Sequence, residues 1–181
     1  MEYVNKNTKY FFLRIFILAF CWKMIYRYIL RPVRFPDKLL TNLVTIGTVH
    51  LTNFLHFLQF KVGWMIHPNN SPTANGITKN GIFFFIIDDT CNGLEIMMIY
   101  IGILLLIPNK SLIRTITFIL SGLFMLIIAN MVRCTALLWL YESHRLYFEI
   151  NHHYVFTFLM YGIIISGWLL FLKKQPSNEV K

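Results

Sequence analysis

Ile82-Phe83-Phe84-Phe85-Ile86-Ile87-Asp88-Asp89-Thr90-Cys91-Asn92-Gly93 runs directly into an apolar stretch, Leu94 to Ile107. It can be read as one helix from Ile82 to Ile107, or as a strand followed by a helix. Asp88, Asp89 and Gly93 would interrupt the single helix at an awkward depth, and Ile and Phe in series favour a strand. Asn80-Gly81 just upstream marks a hairpin turn, because both residues tolerate positive φ. The prediction is therefore a small β-hairpin that delivers the chain to Cys91, where a helix begins.

Composition sets the surroundings of that hairpin. Hydrophobic residues make up 56% of the 181 positions and charged residues 14%, too few charges to cover a soluble domain of this size. The expected fold class is an all-α polytopic membrane protein, one membrane-embedded domain over 1–181, with about five transmembrane helices and the hairpin on its extracytoplasmic side. The net charge of +9 does not point to nucleic acid, since most Lys and Arg flank apolar runs instead of forming one basic face. Three cysteines cannot form a disulfide framework; Cys21 and Cys134 read as packing residues. The first apolar run carries Lys23 and Arg27 without a small-residue cleavage site, and reads as a retained anchor.

Five apolar segments stand out: about Tyr10 to Leu30, Leu39 to Phe60, Cys91 to Ile107, Thr115 to Val132 and Tyr154 to Leu172. Each is near the roughly 20 residues needed to span hydrocarbon. The second holds His50, Asn53, His56 and several Thr, so a polar inward face is expected. Ser111 is placed to cap the fourth. Tyr141 to His152 reads as a polar connection.

Connectivity alone then gathers three polar groups. Cys91 opens the third segment, Arg133 closes the fourth, and His152 and His153 open the fifth, so all share one membrane face. The opposite face receives Lys110, Arg114, Lys173 and Lys174, and also Arg31, Arg34 and Lys38 if all five segments cross. That face is expected to be cytoplasmic, although Lys6 and Lys9 then lie outside. If the second segment dips in without crossing, the N-terminus moves inside and Cys91 still faces out.

Cys91-Asn92-Gly93-Leu94, then Ala129-Asn130-Met131-Val132-Arg133, then His152-His153 resemble the signature of the exosortase/archaeosortase family of polytopic cysteine transpeptidases. The resemblance covers roughly residues 82–167. Asn92 stands where Ser or Thr is commoner, and Thr157 stands where a Gly commonly follows the histidine by four residues. The resemblance implies a bacterial or archaeal cytoplasmic membrane, with the active site on the extracytoplasmic face. It also implies membrane-anchored secreted proteins with a C-terminal sorting helix as substrates, and an acceptor of unknown identity.

The reaction so implied proceeds through a thioester on Cys91. A free thiol has a pKa of about 8.5, so a nearby cation must favour the thiolate, and Arg133 keeps its charge throughout. His153, or alternatively His152, would protonate the leaving amine and later deprotonate the acceptor. Arg133 with backbone N–H groups near Asn92 and Gly93 would hold the oxyanion. Glu95, one turn beyond Cys91, either pairs with Arg133 or faces a wet cavity. Asn130 is expected to bond across helices. Asp88 and Asp89 are expected to meet Arg145, Lys79 or a basic part of the substrate. His50 and His56 are about 240° apart on a helix, so no metal and no cofactor are expected. Each residue also has a plainer role: Cys91 a buried helix start, Arg133 a snorkelling cation, His153 part of an aromatic belt. A non-catalytic membrane subunit or small-solute transporter with a polar packing network is the alternative, and a thiol redox enzyme using Cys134 a third.

Overall fold

The computed structural model describes residues 2–56, 61–66, 72–106, 111–150 and 154–173. α1 (Glu2–Ile25) runs without a break through a π-helical turn (Tyr26–Leu30) into a single turn, α2 (Arg31–Val33). Arg34 ends this run in a left-handed backbone conformation, φ 52°, and α3 (Asp37–Leu55) follows. Three strands come next: β1 (Val62–Ile66), β2 (Ala74–Lys79) and β3 (Ile82–Asp88). A 3-10 turn (Asp89–Cys91) leads to α4 (Leu94–Leu105), and then α5 (Leu112–Ser143), α6 (Arg145–Ile150) and α7 (Phe156–Lys173).

The strands form an antiparallel sheet in the order β1-β2-β3. The β2–β3 hairpin turns at Asn80 and Gly81, with φ of 51° and 83°, as the sequence predicts. Ile77 pairs with Phe85 but Thr78 with Phe83, so Phe84 is an extra residue in β3. Neighbouring strand side chains normally point to opposite faces, and a bulge relaxes this. Phe84 and Phe85 thereby both reach Tyr141 of α5, each with ring centroids 5.4 Å away.

Two cores divide the molecule. The first joins the sheet to α3 and the second half of α5 through Val44, Val49, Val62, Ile77, Ile87, Cys134 and Leu138. α3 turns Thr41, Thr45, Thr48 and Thr52 inward, a spacing of four, three and four that keeps them on one helical face. The second core joins α4, α5 and α7 through Met97, Tyr100, Leu104, Leu126, Met160, Ile164 and Phe171. α5 serves both cores because its 32 residues extend about 48 Å at 1.5 Å per residue.

Among the described residues the chain is mostly helical with one small sheet, and two helices, α5 and α7, are long and apolar enough to cross a membrane. Several expectations are corrected. The expected two-stranded hairpin is part of a three-stranded sheet. The second apolar segment forms α3, held against that sheet: Asn53 Nδ2 donates to the Val62 carbonyl at 2.9 Å, and Asn75 Nδ2 to Asn42 Oδ1 at 2.8 Å. Arg133 does not close its helix, which runs on to Ser143, and the polar connection beyond Tyr141 includes α6. Ser111 takes the N-cap position of α5 without a side-chain capping bond. Cys21 is exposed, whereas Cys134 is buried as expected.

Candidate active site

The turn that carries Cys91 is built by short-range bonds before any distant residue touches it. Asp88 Oδ1 accepts from the Thr90 N–H at 3.0 Å, an Asx-type closure that folds the chain out of β3. Asp88 Oδ2 accepts from the Thr73 hydroxyl at 2.9 Å, and the Asp89 N–H donates to the Thr73 carbonyl at 2.9 Å. Asn92 Oδ1 accepts from the Leu94 N–H at 2.8 Å, satisfying one of the orphan donors that open α4. Gly93 sits at φ 84°, and a Cβ there would lie 3.3 Å from the Asn130 amide. The left-handed backbone favours glycine, and a side chain there would also push the Asn130 amide back by a few tenths of an ångström.

α5 supplies two donors to one acceptor. Arg133 Nη2 donates to the Cys91 carbonyl at 2.9 Å, and Asn130 Nδ2 to the same oxygen at 3.0 Å. Asn130 and Arg133 are three residues apart, so they share a helical face, and the cross-helix bond expected of Asn130 is present. The Cys91 thiol is half-buried, beside the Thr90 hydroxyl at 3.9 Å. Arg133 thus meets the main chain of Cys91. Its Nε and the Asn130 Oδ1 are buried without a hydrogen-bond partner among the described residues.

On the other side, the turn is fastened to the start of α3. Arg34 makes a two-pronged ion pair with Asp89, Nε to Oδ2 at 2.9 Å and Nη2 to Oδ1 at 2.8 Å. Arg34 Nη1 also donates to the Pro72 carbonyl, and the Thr41 hydroxyl donates to Asp89 Oδ1 at 2.6 Å. Asn92 Nδ2 donates to Asp37 Oδ1 at 2.8 Å and reaches Thr41 Oγ1 at 3.4 Å. Hydrogen bonding to Asp89 raises the Arg34 pKa above its ordinary value. The expected partners of Asp88 and Asp89 are therefore replaced. Lys79 pairs with Glu142 at 3.1 Å, and Arg145 donates to the Tyr141 hydroxyl at 2.7 Å while stacking over its ring.

Glu95 is exposed and makes no ion pair among the described residues. It lines a cavity of about 700 Å³ between α1 and α4, which holds Asp37, Asp89, Thr90 and Asn92 and whose otherwise apolar lining also carries Lys23 and Tyr26. Of its two expected positions, the cavity is the one occupied. His50 and His56 are both exposed. His152 and His153 lie outside the described residues. The sequence reading missed Arg34, Asp37 and Thr41. Their positions 34, 37 and 41 carry a helical spacing, but nothing local ties them to residues 88–92, more than 45 positions away. No protein-family model, curated protein or solved structure matches the chain.

Proposed function

We propose that the protein is a membrane cysteine transpeptidase of the exosortase/archaeosortase kind, cleaving a C-terminal sorting signal at the outer membrane face through a Cys91 thioester. The observation that carries the reading is the convergence of Asn130 and Arg133 on the Cys91 carbonyl, across separations of 39 and 42 residues. It brings together two of the three parts that the family resemblance needs.

The surroundings support a bilayer. The most apolar windows of α5 and α7 are only 6% and 17% buried, whereas the core helix of a soluble protein would be mostly covered. α1, α4, the first half of α5 and α7 form the membrane part, and α3 with the sheet forms a head at the Cys91 end. α1 then begins at the far end, the end of Arg114 and Lys173, while Arg31, Arg34 and Lys38 fall at the Cys91 end. At the Cys91 end, Arg34 and Lys79 are engaged with carboxylates.

In the reaction, the Cys91 thiolate attacks the scissile carbonyl carbon and the C–N bond breaks. The amine leaves with a proton from His153 (or His152), and the acyl group stays on sulfur as a thioester. An acceptor amine, hydroxyl or water loses a proton to the same histidine, attacks that carbonyl and releases the thiolate, so proton and electron pair return to their starting places. Arg133 holds the Cys91 peptide through Nη2 and keeps a fixed positive charge beside the residue at which the oxyanion develops. The cavity between α1 and α4 gives an apolar segment of the substrate a path to the turn.

The bonds to Cys91 involve its carbonyl, and this also favours a second reading, a non-catalytic subunit whose polar residues form a packing network. Processing of co-expressed secreted proteins bearing a C-terminal apolar helix and basic tail separates the two. In the first reading Cys91→Ser abolishes processing while the protein stays folded and inserted, and an acyl adduct can be trapped on Cys91. Full processing by the Cys91→Ser variant would end the catalytic assignment.

A further inference from the structure

The oddest residue near the site is one that no catalytic motif includes. Arg34 adopts φ 52°, a conformation that Gly or Asn enters cheaply and a long side chain does not. Its side chain is nevertheless only 19% exposed and grips Asp89, itself 10% exposed, with both prongs of the guanidinium. A solvated surface arginine would show neither feature. The same guanidinium reaches the Pro72 carbonyl, so one side chain joins the corner before α3, the approach to β2 and the turn before Cys91.

The anchorage is continuous. Thr41 Oγ1 donates to Asp89 Oδ1 at 2.6 Å and lies 3.4 Å from Asn92 Nδ2, bridging the two residues that bracket Thr90-Cys91. Asp37, 1% exposed, accepts from Asn92 at 2.8 Å. On the opposite side Arg133 and Asn130 hold the Cys91 carbonyl. The short turn is thus clasped from α3 and from α5, and a planar two-pronged pair fixes direction as well as distance.

We propose that Arg34, acting through Asp89 and Thr41, is a positioning residue that sets the place of the Cys91 thiol relative to Arg133. This rests on the transpeptidase reading for its consequence in turnover, but not for its geometry. Misplacing a reacting group by about 1 Å costs on the order of 10²-fold in rate. Loss of the clasp should therefore lower turnover while leaving substrate binding in place.

The test uses the full chain with Cys21→Ser and Cys134→Ala, so that iodoacetamide reports on Cys91 alone, its rate followed at one fixed pH. Arg34→Gly is the decisive variant, because glycine fits the left-handed backbone and removes only the grip. Arg34→Lys keeps the charge but loses the fork. Both variants should lower the rate constant of Cys91 alkylation relative to the parent. For a secreted protein whose processing needs Cys91, kcat should fall about 10²-fold with KM unchanged. The reversed pair Arg34→Asp with Asp89→Arg should recover at least about tenfold over either single change. Arg34→Gly with a parental alkylation rate and parental kcat would overturn the proposal. So would losses that simply follow a fall in melting temperature. If Arg34→Gly fails to fold, Arg34→Lys and Thr41→Val decide by the same criteria. Should Cys91→Ala leave processing intact, the transpeptidase reading fails, while the alkylation rate still tests the clasp.

Discussion

Arg133 has five N–H donors to place; Nη2 goes to the Cys91 carbonyl, and Nε stays buried without a partner among the described residues. Arg133→Lys keeps the charge but replaces the fork by a single ammonium. It is expected to lower processing by about 10²–10³-fold, the typical loss for one oxyanion donor, with insertion unchanged in a membrane-fraction assay. Asn130→Ala removes the second bond to the same oxygen. It should cost about 0.6–1 kcal/mol of stability in a melting experiment, together with a smaller loss of rate. Cys91 and Arg133 stood out because each sits at a step between polar and apolar sequence, and Asn130 because an amide inside an apolar helix needs a partner. Arg34 was not: it resembled any basic residue flanking an apolar run, and its partner Asp89 lies 55 positions away.

The hairpin was legible for a local reason, since Asn80-Gly81 encodes its own turn and the run after it is β-prone. β1 was not, because Val62–Ile66 contains a glycine and no alternation, and its support comes from elsewhere in the chain, from pairing with β2 and from Asn53 of α3. α3 was misread as a possible span because threonines count as nearly apolar in a window average, although four of them line one buried face. Elsewhere the elements are joined by close approach. A Cβ on Gly122 of α5 would come within 2.2 Å of the Tyr100 ring of α4, whose hydroxyl donates to the Phe118 carbonyl at 2.8 Å. Gly122→Ala should therefore destabilise the α4–α5 contact by about 1–3 kcal/mol, as overpacking does. Tyr100→Leu in the same chain should restore part of the loss. A melting temperature for Gly122→Ala equal to that of the parent would show that the two helices do not meet there.

At the scale of the molecule, the ion pair between Arg34 and Asp89 decides the course of the chain. If all five apolar segments crossed, Arg34 and Cys91 would lie on opposite faces, about 30 Å of hydrocarbon apart. They are instead joined through hydrogen bonds to neighbouring residues. In the proposed placement α1 therefore ends at the Cys91 face, α3 stays with the sheet, and the start of α1 belongs to the other side. α4, with 12 residues, extends only about 18 Å, so that placement would leave the Cys91 turn partly sunk into the apolar layer, with the head above it. Single-cysteine reporters make this a measurement. A reporter at Lys38, which is exposed, should react with a membrane-impermeant maleimide from the same side as Cys91. A reporter at Lys6 should react only from the other side. The five-span arrangement predicts the reverse for both, with Lys38 inside and Lys6 outside. Because both arrangements put Cys91 outside, its own labelling tests sidedness alone, and the two reporters carry the distinction between a chain that crosses with α3 and one that folds α3 into the head.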